Sequence, residues 1–569
     1  MALLTALAVM LWIGCYLRIE GFGLDTDDFG IIAQVAKSWQ ENWTHIQDLF
    51  SGWGAHARPL GRTCSILLST LAWNAGGMTA LHLLGYGVLL LNTLLFYVVV
   101  RHFGNRLLAF TCAAAYMFCP ADAGRQIIVH TTWVQFSLTC FFLATITYQR
   151  QKRVLPYLFL VLSMIIYETV ILAALCIPLL SRQRMRDQAR RAVTHVGVLA
   201  GIGLAGLVVR MQLAPGRLSD IPAMSLFGLV GRVLEAVMLG MRASLTTHWS
   251  RVAITMRHLD ACVVVSAGLI FTLFACMVLR QFAAPSWNHG TERRPLWRLG
   301  QWVVWITEEA AARLRIVVAG VLVWVTSYAL FITTERFPPT MIFGRLSSVH
   351  AVGGIGTSLI LGTLVYAAVR IVGDRRRLRV AATLVTSFYL TLLASFHLAI
   401  QQDCVDSWRL QQRVWRDITE LTPDAGTDTV VVVDGLSGLN KQVPLRTPFG
   451  WPVALVLSLI YRYPKEIAQV PIVMDRAVFD KVAAVREGVL YAPRNPTSAR
   501  AQPVAEGNLI LIRITGAGLE RVGGEWEWKG HLLKLKPVPQ QWKAPNLSPG
   551  VLYAELIGPV VTSGRKRIR

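Results

Sequence analysis

Leu155-Pro-Tyr-Leu-Phe-Leu-Val-Leu-Ser-Met-Ile-Ile-Tyr167-Glu168-Thr-Val-Ile-Leu-Ala-Ala-Leu-Cys-Ile-Pro-Leu-Leu180 is an apolar run with one charge, Glu168, at its middle. It is flanked by two basic blocks, Arg150-Gln-Lys152-Arg153 and Arg182 to Arg191. A single membrane crossing takes roughly 20 apolar residues, so by length alone this run fits one tilted span. Basic blocks at both ends argue otherwise, because Lys and Arg are retained on the cytoplasmic side and both ends would then share that side. The sequence therefore predicts two half-length helices that meet at Tyr167-Glu168 and return, with Glu168 at the outer turn.

Working outward, further apolar runs approach spanning length: Leu3–Ile19, Leu81–Val100, Ile127–Tyr148, Ala192–Leu213, Ala261–Leu279, Ile316–Ile332, Ser347–Val369 and Val380–Ile400. Leu107–Cys119 is shorter but equally apolar. The basic blocks Arg101–Arg106, Arg280–Arg298 and Arg370–Arg379 fall between them, and alternation follows once the 155–180 run is folded back on itself, with the arginine-bearing loop Ala214–His258 as the exception to the charge rule. The expected fold class is thus an α-helical polytopic membrane protein of about 11 transmembrane segments. Composition agrees: 54% of the residues are hydrophobic and only 16% are charged, against about 25% charged in soluble domains. The formal charge of +23 reads as cytoplasmic loops, which excludes nucleic acid as the expected partner. None of the nine cysteines forms a C-x-x-C pair, so neither a zinc site nor a disulfide framework is indicated. The first run lacks a basic flank and a small-residue cleavage site, and reads as a retained span.

From Gln401 onward the chain has an ordinary soluble mixture. Thr429-Val-Val-Val-Val-Asp434 and Asn508-Leu-Ile-Leu-Ile-Arg513 read as buried strands, and Ala477–Glu487 as a helix. The expected division is a membrane domain over 1–400, with an outer loop over 20–80, and an extracytoplasmic α/β domain over 401–569. Trp451–Tyr461 is too short to span and is expected to dock on that domain or on the membrane. The loop Ala214–His258 carries five arginines. Within it Leu226–Met241 reads as an amphipathic interfacial helix, and its arginines also suit an anion.

The chemistry-bearing stretch is Gly21-Phe-Gly-Leu-Asp25-Thr-Asp27-Asp28-Phe-Gly30, three carboxylates just beyond the first span in a chain poor in acids. Charge at the lip of a membrane span is costly unless it is used. A carboxylate here can take a proton from an attacking hydroxyl, which makes Asp27 and Asp28 the candidate catalytic pair. Asp25 is the candidate for simply capping the helix that starts near Phe29. An Asp-x-Asp spacing also suits a divalent cation such as Mg or Mn, held by Asp25, Asp27 and Asp28, although no third fixed ligand is visible and no cofactor is certain.

The order of motifs resembles the GT-C superfamily of polytopic glycosyltransferases, particularly protein O-mannosyltransferases and the bacterial lipid A aminoarabinose transferase. The matching pieces are Asp27-Asp28-Phe29, Ala57-Arg58-Pro59-Leu60, Leu81-His82, Cys119-Pro120, Tyr167-Glu168-Thr169, Phe343-Gly344-Arg345-Leu346 and Trp408 to Trp415. Together they cover the chain to about Asp417. Asp28 replaces the glutamate of the mannosyltransferases and Tyr167 stands where many relatives have lysine, which leaves the sugar open. The resemblance implies an enzyme that transfers a sugar with inversion from a polyprenyl-phosphate carrier to an extracytoplasmic lipid, glycan or protein. Its setting would be the bacterial inner membrane, among membrane lipids, with the site and the C-terminal domain on the periplasmic side.

By carry-over Asp27 is the base. Arg345, Arg58 and Arg336 are the candidate phosphate ligands, since a guanidinium fork matches phosphate oxygens. Glu168 and His56 would support the site. Each has a plainer reading: Arg345 snorkels, Arg58 caps or forms an ion pair within its own loop, Glu168 is a buried acid pairing an arginine, and His56 is a polar loop residue. Trp39, Trp43, Trp53 and Trp73 read better as an interfacial aromatic belt than as sugar platforms, and His82 as a packing residue. Two other functions fit a chain of this kind: a transporter or flippase of lipid-linked glycans, and an O-antigen ligase or polymerase. The ligases and polymerases work through a late loop, which the early acids disfavour.

Overall fold

The computed structural model describes residues 1–25, 27–52, 58–103, 105–181, 185–213, 225–257, 259–283, 299–331, 339–340, 344–371, 376–426, 428–443, 445–446, 448–449, 454–463, 470–493, 501–539 and 547–558. The chain is mostly helical, with small sheets toward its C-terminus. It divides into two compact units: Met1–Ile19, Trp43–Leu68 and Ala75–Gln402 in one, and Glu20–Asn42, Ser69–Asn74 and Asp403–Arg569 in the other.

Among the described residues, seven helices are long and apolar enough to cross a membrane, which fits a multi-pass membrane protein. They are Ala2–Gly21, Pro59–Arg101, Ile128–Gln149, Ala189–Val209, Ala261–Gln281, Leu346–Arg370 and Arg377–Leu421. Arg106–Met117 and Leu155–Ile166 are shorter apolar helices. The expected 11 segments therefore rest partly on pieces whose length does not decide whether they cross. The expected span Ile316–Ile332 falls on Leu299–Thr326, which ends earlier and carries charge in its first half.

The run Leu155–Leu180 does fold back. Leu155–Ile166 is a helix, Tyr167 is extended (φ −158°, ψ 108°), and a 3-10 helix returns over Leu172–Leu180. Two buried hydrogen bonds fix the ends of the hairpin against the helix Phe136–Gln149. Gln149 Nε2 donates to Leu180 O (2.7 Å), and Ser137 Oγ donates to Tyr167 O (3.1 Å). Leu180 thus lies level with one end of that helix and Tyr167 level with the other, about 18 Å away at 1.5 Å per residue. Elsewhere in this unit glycine sets helix spacing. A Cβ on Gly320 would meet Gly356 O at 2.9 Å, so the helices Leu299–Thr326 and Ala351–Ile371 approach at backbone contact.

Two stretches carry more helix than expected. The segment over 20–80 contains the helices Asp28–Val35 and Trp39–Gly52 and the start of Pro59–Arg101, which breaks at Gly76 and Gly77. The helix expected at Leu226–Met241 runs on to Arg257. It buries Ala236, Gly240, Ala243, Thr247, Arg251 and Thr255, a small-residue face at helical spacing, and Trp324 Nε1 donates to Ser244 Oγ (2.7 Å). Its later part therefore packs against its neighbours, while Leu226–Glu235 stays exposed or half-buried.

In the second unit Val430–Asp434 and Leu509–Thr515 are both strands, as expected, and they pair in parallel with Val430 opposite Leu509. Ile472–Asp475 adds a parallel strand on the other side and Gly518–Val522 an antiparallel one beyond Leu509–Thr515. Parallel strands buried on both faces require continuous apolar runs, which is why the Val-Val-Val-Val run is central. The expected helix Ala477–Glu487 is Arg476–Val482 only. Glu487 (φ 54°) and Gly488 (φ 79°) make a two-residue hairpin turn that draws Ala484–Arg486 into a strand. Of the expected Trp451–Tyr461 helix, Val456–Ile460 forms and packs against Asp28–Val35.

Candidate functional site

The acidic stretch belongs to the second unit, where its surroundings are well defined. Gly23 lies against the ring of Trp408, and a Cβ at that position would collide with the indole. Gln411 Nε2 donates to Leu24 O (2.8 Å). These contacts come from one face of the helix Arg376–Leu421. Asp403 on the same helix accepts from the Leu445 amide (2.8 Å), bringing residues 445–446 to the acids.

The three carboxylates differ. Asp25, 6% exposed, pairs with Arg446, whose Nη1 lies 3.3 Å from Asp25 Oδ2. Asp28, 1% exposed, accepts from the Asp25 amide (3.1 Å), while its own amide donates to Asp25 O (3.0 Å), which closes the turn leading into the helix Asp28–Val35. Asp27 stands at the N-cap of that helix, is the least buried of the three, and makes no side-chain cap bond there. The Arg446 guanidinium also donates to the Cys404 sulfur. Burial opposes its charge, but Cys404, Asp25 and Asp28 outweigh it and hold the group above the ordinary arginine range.

Asp25 has a guanidinium as its counter-charge and Asp28 accepts from a backbone amide. Among the described residues no group of three His, Cys, Asp or Glu is disposed to hold a metal.

In the first unit, Arg58 and Glu168 are brought together. Arg58 Nε and Nη2 reach the two Glu168 oxygens at 2.8 and 2.6 Å, and the guanidinium stacks on Tyr167 at 4.2 Å. Arg58 is thus engaged as an internal partner of Glu168, at the tip of the hairpin. His82 is buried within the helix Pro59–Arg101. Arg345 falls in the 3-10 helix Gly344–His350, but its side chain lies outside the described residues, as do Arg336 and His56.

Sequence reading missed Arg446, Cys404, Asp403 and Gln411. It also missed a second buried cluster in the first unit, where Asp122 lies 3.5 Å from Arg125 Nε and 3.1 Å from His130 Nε2, all at 1% exposure or less. Arg125 Nη1 donates to the carbonyls of Tyr116 and Met117 (2.7 and 2.8 Å), closing the C-terminal end of the helix Arg106–Met117. An Asp, an Arg and a His within nine residues after Cys119-Pro120 was the available signal.

Compared with protein-family models, with curated proteins and with solved structures, the chain finds no match. The family resemblance therefore stands on the motifs alone.

Proposed function

We propose that this chain is an inverting glycosyltransferase of the membrane, moving a sugar from a polyprenyl-phosphate carrier to an extracytoplasmic acceptor. In this reading the fold has about 11 membrane segments, and the acidic stretch and C-terminal domain face the periplasm. The observation that carries it is the division of labour among the three acids. Asp25 is held to Arg446 and Asp28 to a backbone amide, while Asp27, the most exposed of the three, stands at a helix N-terminus and is the acid assigned the role of base.

The acceptor hydroxyl loses its proton to Asp27 as its oxygen bonds to the anomeric carbon from the face opposite the carrier. The bond from that carbon to the carrier phosphate oxygen breaks, and the phosphate leaves with the electron pair. Arg345 and Arg336 are the arginines assigned to that phosphate, since Arg58 is occupied by Glu168. Asp27→Asn in the full-length protein should keep helical circular dichroism and abolish sugar transfer from polyprenyl-phosphate sugar. Activity within a few-fold of wild type would remove Asp27 from the role of base.

A second reading, a transporter of lipid-linked glycans, is favoured by the broken hairpin at Tyr167 and the buried Asp122–Arg125–His130 cluster, since transporters bind substrate at interrupted helices. The two part in detergent: a transferase turns over in micelles, whereas a transporter gives signal only across a sealed bilayer.

A further inference from the structure

In the second unit a cleft of about 750 Å³ opens between one face of the helix Arg376–Leu421 and the chain around Ala554–Gly558. Arg409, Arg413 and Arg416 line it, spaced four and three apart and so on one helical face. Gln412, Gln442, Asp406 and Glu555 complete the polar lining. The far wall is anchored: Gln412 Nε2 donates to Glu555 O (2.9 Å), Leu552 N to Leu459 O (2.9 Å) and Gly550 N to Ile460 O (2.7 Å). The cavity is therefore part of the packed structure.

The charges in it are unevenly matched. Asp406 faces Arg409 at a loose 3.8 Å. Across the lining three arginines face two carboxylates, Asp406 and Glu555, with Asp417 on the same helix adding a partial counter-charge to Arg413 and Arg416. Among the described residues, Arg416 Nε is buried with no hydrogen-bond partner. A buried guanidinium N–H without an acceptor is costly, and native structures rarely leave one so.

We propose that this cleft binds a phosphorylated, hydroxyl-rich ligand. Arg413 and Arg416 take the phosphate through their forks, while Gln442, Glu555 and Asp406 hydrogen-bond hydroxyls. The volume suits a ligand of sugar-phosphate size. The same chemistry is presented by a soluble phosphosugar and by a phosphoinositol lipid headgroup. The inference does not depend on the transferase reading, because a cleft of this composition binds whether the chain transfers or transports.

The test uses the full chain in phosphatidylcholine nanodiscs, titrated with glucose 1-phosphate and, separately, glucose. The phosphate ester should bind at least tenfold tighter than glucose. Arg413→Ala and Arg416→Ala should each weaken it about tenfold. Gln442→Glu, at an exposed position that leaves the core untouched, should weaken it by placing a carboxylate beside the phosphate. A second arm replaces part of the phosphatidylcholine with phosphatidylinositol. Loss of glucose 1-phosphate binding there supports the site and assigns the headgroup as occupant; unchanged binding supports it and assigns the soluble ester. Equal affinity for glucose and its phosphate, or wild-type binding by folded Arg413→Ala and Arg416→Ala, overturns the proposal.

Discussion

Each unit contains an arginine–carboxylate pair near the candidate site residues, and the two pairs are built differently. In the helical unit Arg58 closes both arms of its fork on Glu168 and rests on Tyr167, with Glu168 still 20% exposed. In the second unit Arg446 gives one arm to Asp25 and turns the rest of its guanidinium to Cys404, with both charges under a tenth exposed. The first pair is satisfied by its geometry and retains some water. The second is satisfied by confinement, so it depends more on each partner being present. A buried charge left alone loses several kcal/mol, whereas one that water reaches loses much less.

The largest expected effect follows from that confinement. Arg446→Ala leaves Asp25 and Asp28 as buried negative charges and should destabilise the second unit by about 3–5 kcal/mol. Denaturant unfolding followed by fluorescence of the buried Trp526 and Trp528 reads it, and hydrogen exchange of the Asp28–Val35 amides should rise. Asp25→Asn, which keeps a polar group opposite Arg446, should cost less. If Arg446→Ala leaves both readouts near wild type, the pair is not what holds the acidic stretch in place.

A smaller effect is expected in the helical unit. Glu168→Gln keeps an acceptor for one arm of Arg58 and leaves the stacking on Tyr167, so about 1–3 kcal/mol should be lost. The thermal midpoint of the purified protein in detergent measures it. A loss larger than that of Arg446→Ala would reverse the comparison, and would mean that the hairpin tip depends on the pair more than its exposure suggests.

The same contrast explains what the sequence could reveal. The hairpin Leu155–Leu180 was legible because the positive-inside rule acts on local blocks of charge, and the strands Val430–Asp434 and Leu509–Thr515 because burial on both faces demands continuous apolar runs. An arginine partner for Glu168 was one of the open readings, but which arginine was not legible, since Arg58 was expected to cap or pair within its own loop. Arg446 was not legible: it sits between Leu445 and Thr447 with no periodic signal and meets Asp25 from the far end of the chain. The helix Trp39–Gly52 could have been found. Ser38-Trp-Gln-Glu41 is a capping box, and its two halves close at 2.8 Å from the Ser38 amide to Glu41 and 3.2 Å from the Glu41 amide to Ser38. The length of Leu226–Arg257 escaped because hydropathy undervalues a face of Ala, Gly, Ser and Thr that packs closely against its neighbours.

The smallest effect lies in a third pair, which combines features of the other two. Arg521, almost fully buried, forks onto Asp424, which keeps a quarter of its side chain exposed, and Lys536 Nζ lies 3.9 Å from the same carboxylate. Burial alone would raise the Asp424 pKa, but Arg521 and Lys536 outweigh it and hold the group below the usual carboxylate value of 3.8. A depressed folded pKa means that the unfolded chain binds the proton first. The stabilisation is therefore complete above the unfolded value, and it is lost as pH falls through the folded value. Asp424→Asn should cost about 1 kcal/mol at neutral pH, because Arg521 retains the carbonyls of Leu421 and Pro537 as acceptors. It should also flatten the stability curve below about pH 4, where wild type continues to decline, with no change in slope between pH 6 and 8. A wild-type slope below pH 4 that survives the substitution would assign the acid sensitivity to other carboxylates, with the buried Asp25 the first to examine.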